Sequence, residues 1–262
     1  MALSAKSNAG AAPPKVAGAR ALGKLALRGP RHARWLVQQQ LERWRERSHL
    51  AASLDRVRSL SMVPERSLLQ LGRYVRWTLA EGTPGDFVEC GVWRGGSAFL
   101  VADLLRRQRV QDRKVWLFDS FEGHRAPEEI DGEPARSYVA STDSAEYFDN
   151  CRVPVEDVQR SAQELGLGAY TEIVKGWFDD SLPATRERIG PIALLRVDCD
   201  WYASVRTCLE QLYDQVSTGG FVIFDDYYDW DGCTVAVHEF LAERRLPHRI
   251  ASDDGVAYIR KT

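Results

Sequence analysis

Residues 86–100 read DFVECGVWRGGSAFL, and their pattern decides the fold. The short apolar run 86–90 enters a turn rich in glycine, at Gly91, Gly95 and Gly96. Apolar residues then recur at helical spacing through SAFLVADLLRRQ, residues 97–108. A strand that turns tightly into a helix is the opening unit of a parallel α/β sheet. The glycines permit close approach of the backbone to a ligand, and Ser97 is placed to cap the helix. The spacing is GxxxGG, not the GxGxxG of dinucleotide binders, so the turn alone is a weak ligand signal.

The alternation continues outward. KVWLFD (114–119), TEIVKG (171–176), IALLRVD (192–198) and FVIFDD (221–226) read as further strands. WYASVRTCLEQLYDQV (201–216) places Val205, Leu209, Leu212 and Val216 on one helical face, with a glycine stop at Gly219 and Gly220. A helix around TVAVHEFLAERR (234–245) follows. HRIAS and GVAYIR are expected to pair antiparallel around Asp253, Asp254 and Gly255. This order predicts an α/β fold, a mainly parallel sheet with helices on both faces. Such sheets bind ligands outside the carboxyl ends of their strands. Those ends read Glu89, Asp119, Gly176, Asp198 and Asp225/Asp226. The stretch 121–150 shows no clear periodicity and contains Gly123, Pro127, Gly132 and Pro134; a lid or binding loop is expected there.

The 262 residues suffice for one sizeable domain plus an extension. The net charge of -2 hides an asymmetry. Residues 1–60 carry 12 Lys/Arg against 3 Asp/Glu, and the remainder 23 against 34. Residues 1–20, rich in Ala, Gly and Pro, read as a disordered tail. Residues 21–62 read as a basic, helical extension, and 63–262 as the main domain. Three readings fit the extension: a membrane-surface or partner-docking helix, an organelle transit peptide, or a helix packed on the domain or on a second subunit. No apolar run approaches the roughly 20 residues that span a bilayer, and no secretory signal is evident. The five cysteines form no CxxC pair, which suits a reduced, cytoplasmic protein. Nucleic acid is not an expected partner.

The rim residues narrow the ligand. An acid ending the second strand, Asp119, suits a ribose diol. Glu89 beside the first turn would repel a pyrophosphate but suits a ligand ammonium. Adenosine at one end and a cationic amino acid at the other describe S-adenosylmethionine (SAM).

Five motifs in order, PGDFVECGVWRGGSA, LFDSFEG, KGWFDDSLP, RVDCDWYASV and GGFVIFDDYYDWDGC, resemble the macrocin O-methyltransferase (TylF-like) family. The resemblance runs from roughly Met62 to the C-terminus. It implies a class I methyltransferase fold, Rossmann-like, with a seven-stranded sheet. It also implies SAM, a divalent metal, methylation of a sugar hydroxyl on a natural product or glycan, and a homodimer or higher homo-oligomer. By motif, it implies that Glu89, Gly91, Val92, Trp93 and Ser97 lie on the methionine side. Asp119 and Ser120 would then lie at the ribose, Gly176 and Trp177 near the adenine, and Asp198 beside the cofactor. One departure is Ala203, where the family pattern has an acid.

Asp198 ends the fourth strand, and Asp225 and Asp226 end the fifth. Neighbouring strands lie about 4.8 Å apart, so such ends can share one ion. Carboxylates without Cys or His suit magnesium or a close relative, and in the resembling family these positions hold the metal. A divalent ion acidifies an alcohol and fixes its position. Asp198 is the first choice for proton acceptor, with Asp200 and His124 as further candidates. Tyr228, Trp230 and Asp231, just beyond the metal motif, are candidate acceptor contacts. Two alternatives share this sequence: a catechol-type phenol as acceptor, and a non-catalytic SAM-binding or assembly protein.

Overall fold

A computed structural model describes Gln38 and residues 47–144, 147–253 and 255–262. The expected tail and most of the expected basic extension lie outside these residues. Seven strands form one sheet in the order β3-β2-β1-β4-β5-β7-β6. They are β1 (Asp86–Cys90), β2 (Val115–Asp119), β3 (Thr171–Lys175), β4 (Ile192–Val197), β5 (Val216–Phe224), β6 (Ala251–Asp253) and β7 (Val256–Arg260). The first five pair parallel; β7 runs antiparallel to both β5 and β6.

Strand side chains alternate between the two faces. Phe87, Val115, Leu117, Phe221 and Ile223 join one core. It also contains residues of helices α1 (Glu65–Ala80), α2 (Gly96–Arg107) and α4 (Val155–Glu164). Val88, Cys90, Trp116, Phe118, Val222 and Phe224 join the other, with α5 (Phe178–Ile189), α6 (Tyr202–Leu212) and α7 (Asp231–Glu243). Tyr74 of α1 stacks on Phe221 with ring centroids 4.7 Å apart. Burying a side chain of this size contributes about 1.5–3 kcal/mol.

The compact unit that holds the sheet runs from His49 to Thr262, so part of the expected extension lies within it. Residues 47–57 are helical, and Leu50, Leu54 and Val57, at spacing i, i+4, i+7, are buried in the first core. The helix expected through Val216 ends at Leu212, and Gly219 and Gly220 lie inside β5 rather than stopping a helix. There β5 bulges: Val216 faces Ile192 and Phe221 faces Leu194, so five steps on one strand match two on the other. Within the insert 121–150 lies the helix α3 (Gly132–Ala140).

Candidate active site

The ends of β1, β2, β4 and β5 open into a cavity of about 370 Å³. The turn after β1 presses directly on the end of β4. At Gly91, with φ +84°, a Cβ would lie 1.7 Å from the Asp198 carbonyl oxygen, so only glycine fits. Asp119 organises this turn from β2. Its Oδ2 accepts the Val92 and Trp93 N–H groups at 2.8 and 3.1 Å, and its Oδ1 accepts the Phe121 N–H at 2.7 Å. The α2 cap differs from expectation. Gly95 is the N-cap, and Ser97 instead donates to Glu89 Oε1 at 2.5 Å.

Beneath the cavity sits an arginine that the sequence reading passed over. Arg196 of β4 stands in register with Glu89 of β1, and its side chain is only 3% exposed. Its Nη1 lies 2.5 Å from both Glu89 Oε1 and Asp198 Oδ2. Its Nη2 lies 2.7 Å from Asp225 Oδ1, an ion pair whose alignment does not make a hydrogen bond. Burial opposes the charge on Arg196, but Asp198, Asp225 and Glu89 override it and raise its pKa further. The signal was available: a single cation inside the buried strand IALLRV requires a partner.

One arginine cannot neutralise this many acids. Ligand atoms of Asp198, Asp225 and Asp226 all lie within 4.8 Å of one another. Burial pushes Asp198 well above the usual carboxylate range, with Arg196 opposing and Asp225, Glu89 and Asp200 adding to the rise. Asp226 is raised by burial and by Asp200, Asp198 and Asp225. Asp200, at φ +58°, has its N–H on Asp226 Oδ2 at 3.0 Å. Its carboxyl is raised by burial, against His124 and a hydrogen bond from the Trp230 side chain. His124 Nδ1 is 3.4 Å from Asp200 Oδ2.

The insert closes one side. His124 is clipped to Asn150 by reciprocal contacts: its N–H reaches the Asn150 carbonyl at 3.2 Å, and Asn150 Nδ2 reaches the His124 carbonyl at 3.0 Å. The Trp201 indole donates to the Arg125 carbonyl at 3.1 Å. The Arg125 guanidinium lies 4.5 Å over the ring of Trp177, the N-cap of α5. Tyr138 of α3 meets Trp230 edge-on with centroids 5.7 Å apart.

Gly91, Val92, Trp93, Ser97, Asp119, Ser120, His124, Trp177, Asp198, Asp225, Asp226 and Trp230 thus share the cavity lining. Glu89, Gly176, Tyr228 and Asp231 do not. Glu89 is buried below, with Arg196 as its cation. Gly176 lies between β3 and Trp177. Tyr228 is 57% exposed, and Asp231 turns its carboxylate toward Gly132. Arg125, Tyr138 and the 60–64 segment line the cavity without having been singled out in the sequence, because nothing local marks them as neighbours of the strand ends.

A mainly parallel seven-stranded sheet whose strand ends carry a glycine turn and an acid-rich rim defines a class I methyltransferase. The model of the macrocin-O-methyltransferase (TylF) family matches residues 20–261. The 8-demethyl-8-(2,3-dimethoxy-alpha-L-rhamnosyl)-tetracenomycin-C 4'-O-methyltransferase of Streptomyces olivaceus is 37% identical over 196 residues, 74% of this chain and 72% of the relative. The demethyldecarbamoylnovobiocin O-methyltransferase of Streptomyces niveus is 37% identical over 205 residues, 76% of this chain and 75% of the relative. The solved structure of the O-methyltransferase NovP superposes with a TM-score of 0.69 at 33% identity, covering 78% of this chain and 82% of that one. The chain belongs to the macrocin-O-methyltransferase (TylF) family and is a SAM-dependent O-methyltransferase. No helix among the described residues is long and apolar enough to cross a membrane.

Proposed function

We propose that this chain methylates a hydroxyl of a sugar carried by a natural product or glycan, with SAM as donor and a divalent cation as aid. The observation that carries the reading is the meeting, in one cavity, of the Asp119-held glycine turn with Asp198, Asp225 and Asp226. The tetracenomycin relative supports the acceptor class by the rhamnosyl group in its name; the novobiocin relative and the mycinamicin III 3''-O-methyltransferase of Micromonospora griseorubida, 34% identical over 198 residues, are likewise named as O-methyltransferases.

The donor set fits a hard cation. It is all carboxylate, and it outnumbers the one buried arginine. Cys199 also lines the cavity, but its sulfur is not among the grouped ligand atoms, which are those of Asp198, Asp225 and Asp226. When bound, such a cation supplies Lewis-acid lowering of an alcohol pKa.

The chain's own residues do the rest. Asp119 holds the turn and, with three N–H groups already on it, keeps roughly one of its four acceptor sites for a ribose hydroxyl. Trp177 offers a face for adenine, while Gly91 and Ser97 border the methionine side. Trp230 and Tyr138 wall the acceptor side. Methyl transfer turns an alcohol and SAM into an ether, S-adenosylhomocysteine (SAH) and a proton. We assign that proton to Asp200 rather than Asp198. Asp200 stands outside the ligand triad and pairs with His124 rather than with Arg196. His124 steadies its carboxylate. Holding alcohol and methyl donor in line supplies the remaining acceleration.

The test supplies methyl-labelled SAM and magnesium with either a rhamnosylated acceptor or a catechol, each with an EDTA arm. Label on the sugar, lost with EDTA, is expected. Label on catechol alone would refute the acceptor class. Transfer indifferent to EDTA would refute the metal. SAH binding with no transfer across a broad glycoside panel would refute catalysis.

A further inference from the structure

The insert meets the start of α7 where two Asp-Gly pairs face each other: Asp131-Gly132 within it and Asp231-Gly232 in the helix. Asp131 is 1% exposed. Its Oδ1 accepts the N–H of Tyr202 at 2.7 Å, and its Oδ2 accepts the N–H of Glu128 at 2.8 Å. Tyr202 is the first residue of α6, and α6 receives no cap from the side chain of its own N-cap residue, Trp201. Asp131 therefore caps α6 across 71 residues of sequence, with its charge set against the positive end of the helix. The glycines allow this approach. A Cβ at Gly232 would lie 2.0 Å from Asp131 Oδ1, and one at Gly132 would lie 2.7 Å from Asp231 Oδ2.

The joint connects two parts of the acceptor side. Asp200 and Trp201 immediately precede α6, and Tyr138 rides on α3, which starts one residue after Asp131. Tyr138, Trp201 and Trp230 stand together, with centroids 5.1 to 6.4 Å apart. We infer that Asp131 is a positioning residue: by capping α6 from the insert, it fixes Tyr138 opposite Trp230 and Asp200 and sets the width of the acceptor side of the cavity. This rests on the proposed reading that the acceptor binds there. The methyl-donor side, built on β1 and β2, has no bond to Asp131, so the two halves of the cavity respond differently to its loss.

The experiment compares Asp131→Ala, Asp131→Asn and Gly232→Ala in the full chain, using amide hydrogen exchange by mass spectrometry and SAH binding by calorimetry. Neither readout needs an acceptor. In Asp131→Ala, exchange in 128–140 and 200–204 should speed about fivefold, the factor one lost helix cap supplies. SAH affinity should fall by less than the glycoside KM rises, since Asp131 reaches the methyl-donor side only through Trp201, Arg125 and Trp177. Asp131→Asn keeps an oxygen for the Tyr202 N–H, so it should hold 200–204 near wild type. Gly232→Ala should match Asp131→Ala. With any accepting glycoside, the glycoside KM should rise more than kcat falls. The inference is overturned if exchange speeds throughout the sheet, if neither segment changes, if Asn behaves as Ala, or if SAH affinity falls in step. Failure of wild-type transfer would count against the proposed function and leave the exchange result to decide this one.

Discussion

Replacing Arg196 with methionine removes the one cation that three acids share. The arginine is 3% exposed, and its nitrogens lie 2.5, 2.5 and 2.7 Å from Glu89, Asp198 and Asp225. Methionine fills comparable volume, so packing loss is small and the electrostatic loss dominates. Removing one partner of a buried pair costs about 3–5 kcal/mol, because the other charge is left uncompensated. In a domain of this size 1 kcal/mol shifts Tm by about 2–4 °C, so Tm should fall by about 6–20 °C. The assay is thermal unfolding by circular dichroism in EDTA, at pH 7.5 and pH 5. The deficit should shrink at pH 5, where the orphaned acids can hold protons. Arg196→Lys keeps the charge but lacks the fork that reaches in several directions, and should fall between. The double variant Arg196→Met/Glu89→Gln removes one orphaned charge and should recover part of the loss. A drop below about 2 °C, or strictly additive single and double variants, would refute the view that Arg196 holds these acids together.

Three further outcomes are expected. Gly91→Ala drives a Cβ into the Asp198 carbonyl at a φ of +84°, and should cost at least about 3 kcal/mol and abolish SAH binding, both read by calorimetry. Burial raises the folded-state pKa of Glu89 above its ordinary 4.5, against Arg196 and Ser97. Folding therefore favours its protonated form. The resulting stability is complete below about 4.5 and is lost as pH rises through the raised value, so the Tm of metal-free protein should fall toward alkaline pH, less steeply in Glu89→Gln. The Cys151 and Cys199 thiols are each pushed up to about 12, mainly by burial, and Cys90, Cys208 and Cys233 are buried. A thiol reagent at pH 8 should react slowly with the native chain and reach all five cysteines only after unfolding; rapid native labelling would contradict this.

Much of the architecture was legible in order and type. The strands beginning at Asp86, Val115, Thr171 and Ile192 stand within one residue of where apolar runs and turn residues put them. The errors fell where local pattern and tertiary demand part. Val216 continues the apolar face of α6, but its pairing with Ile192 draws it into β5. Leu50, Leu54 and Val57 lie in the stretch read as a basic extension, where flanking arginines mask an apolar face; that face buries against Gly72 and the rest of the first core.

The sequence by itself determined the parallel sheet, the glycine turn and the set of acids at the strand ends, because each of these is written in consecutive residues with a fixed period. Only the tertiary structure decided what those acids touch. Register sets Arg196 beside Glu89 and divides the carboxylates into Glu89, Asp198 and Asp225, which it pairs, and Asp226, which it does not. The crossing of the insert over α6 brings Asp131 to Tyr202 and Tyr138 to Trp230. Such pairings join residues tens of positions apart, and no local spacing encodes them; they exist only once the sheet has placed its strand ends side by side.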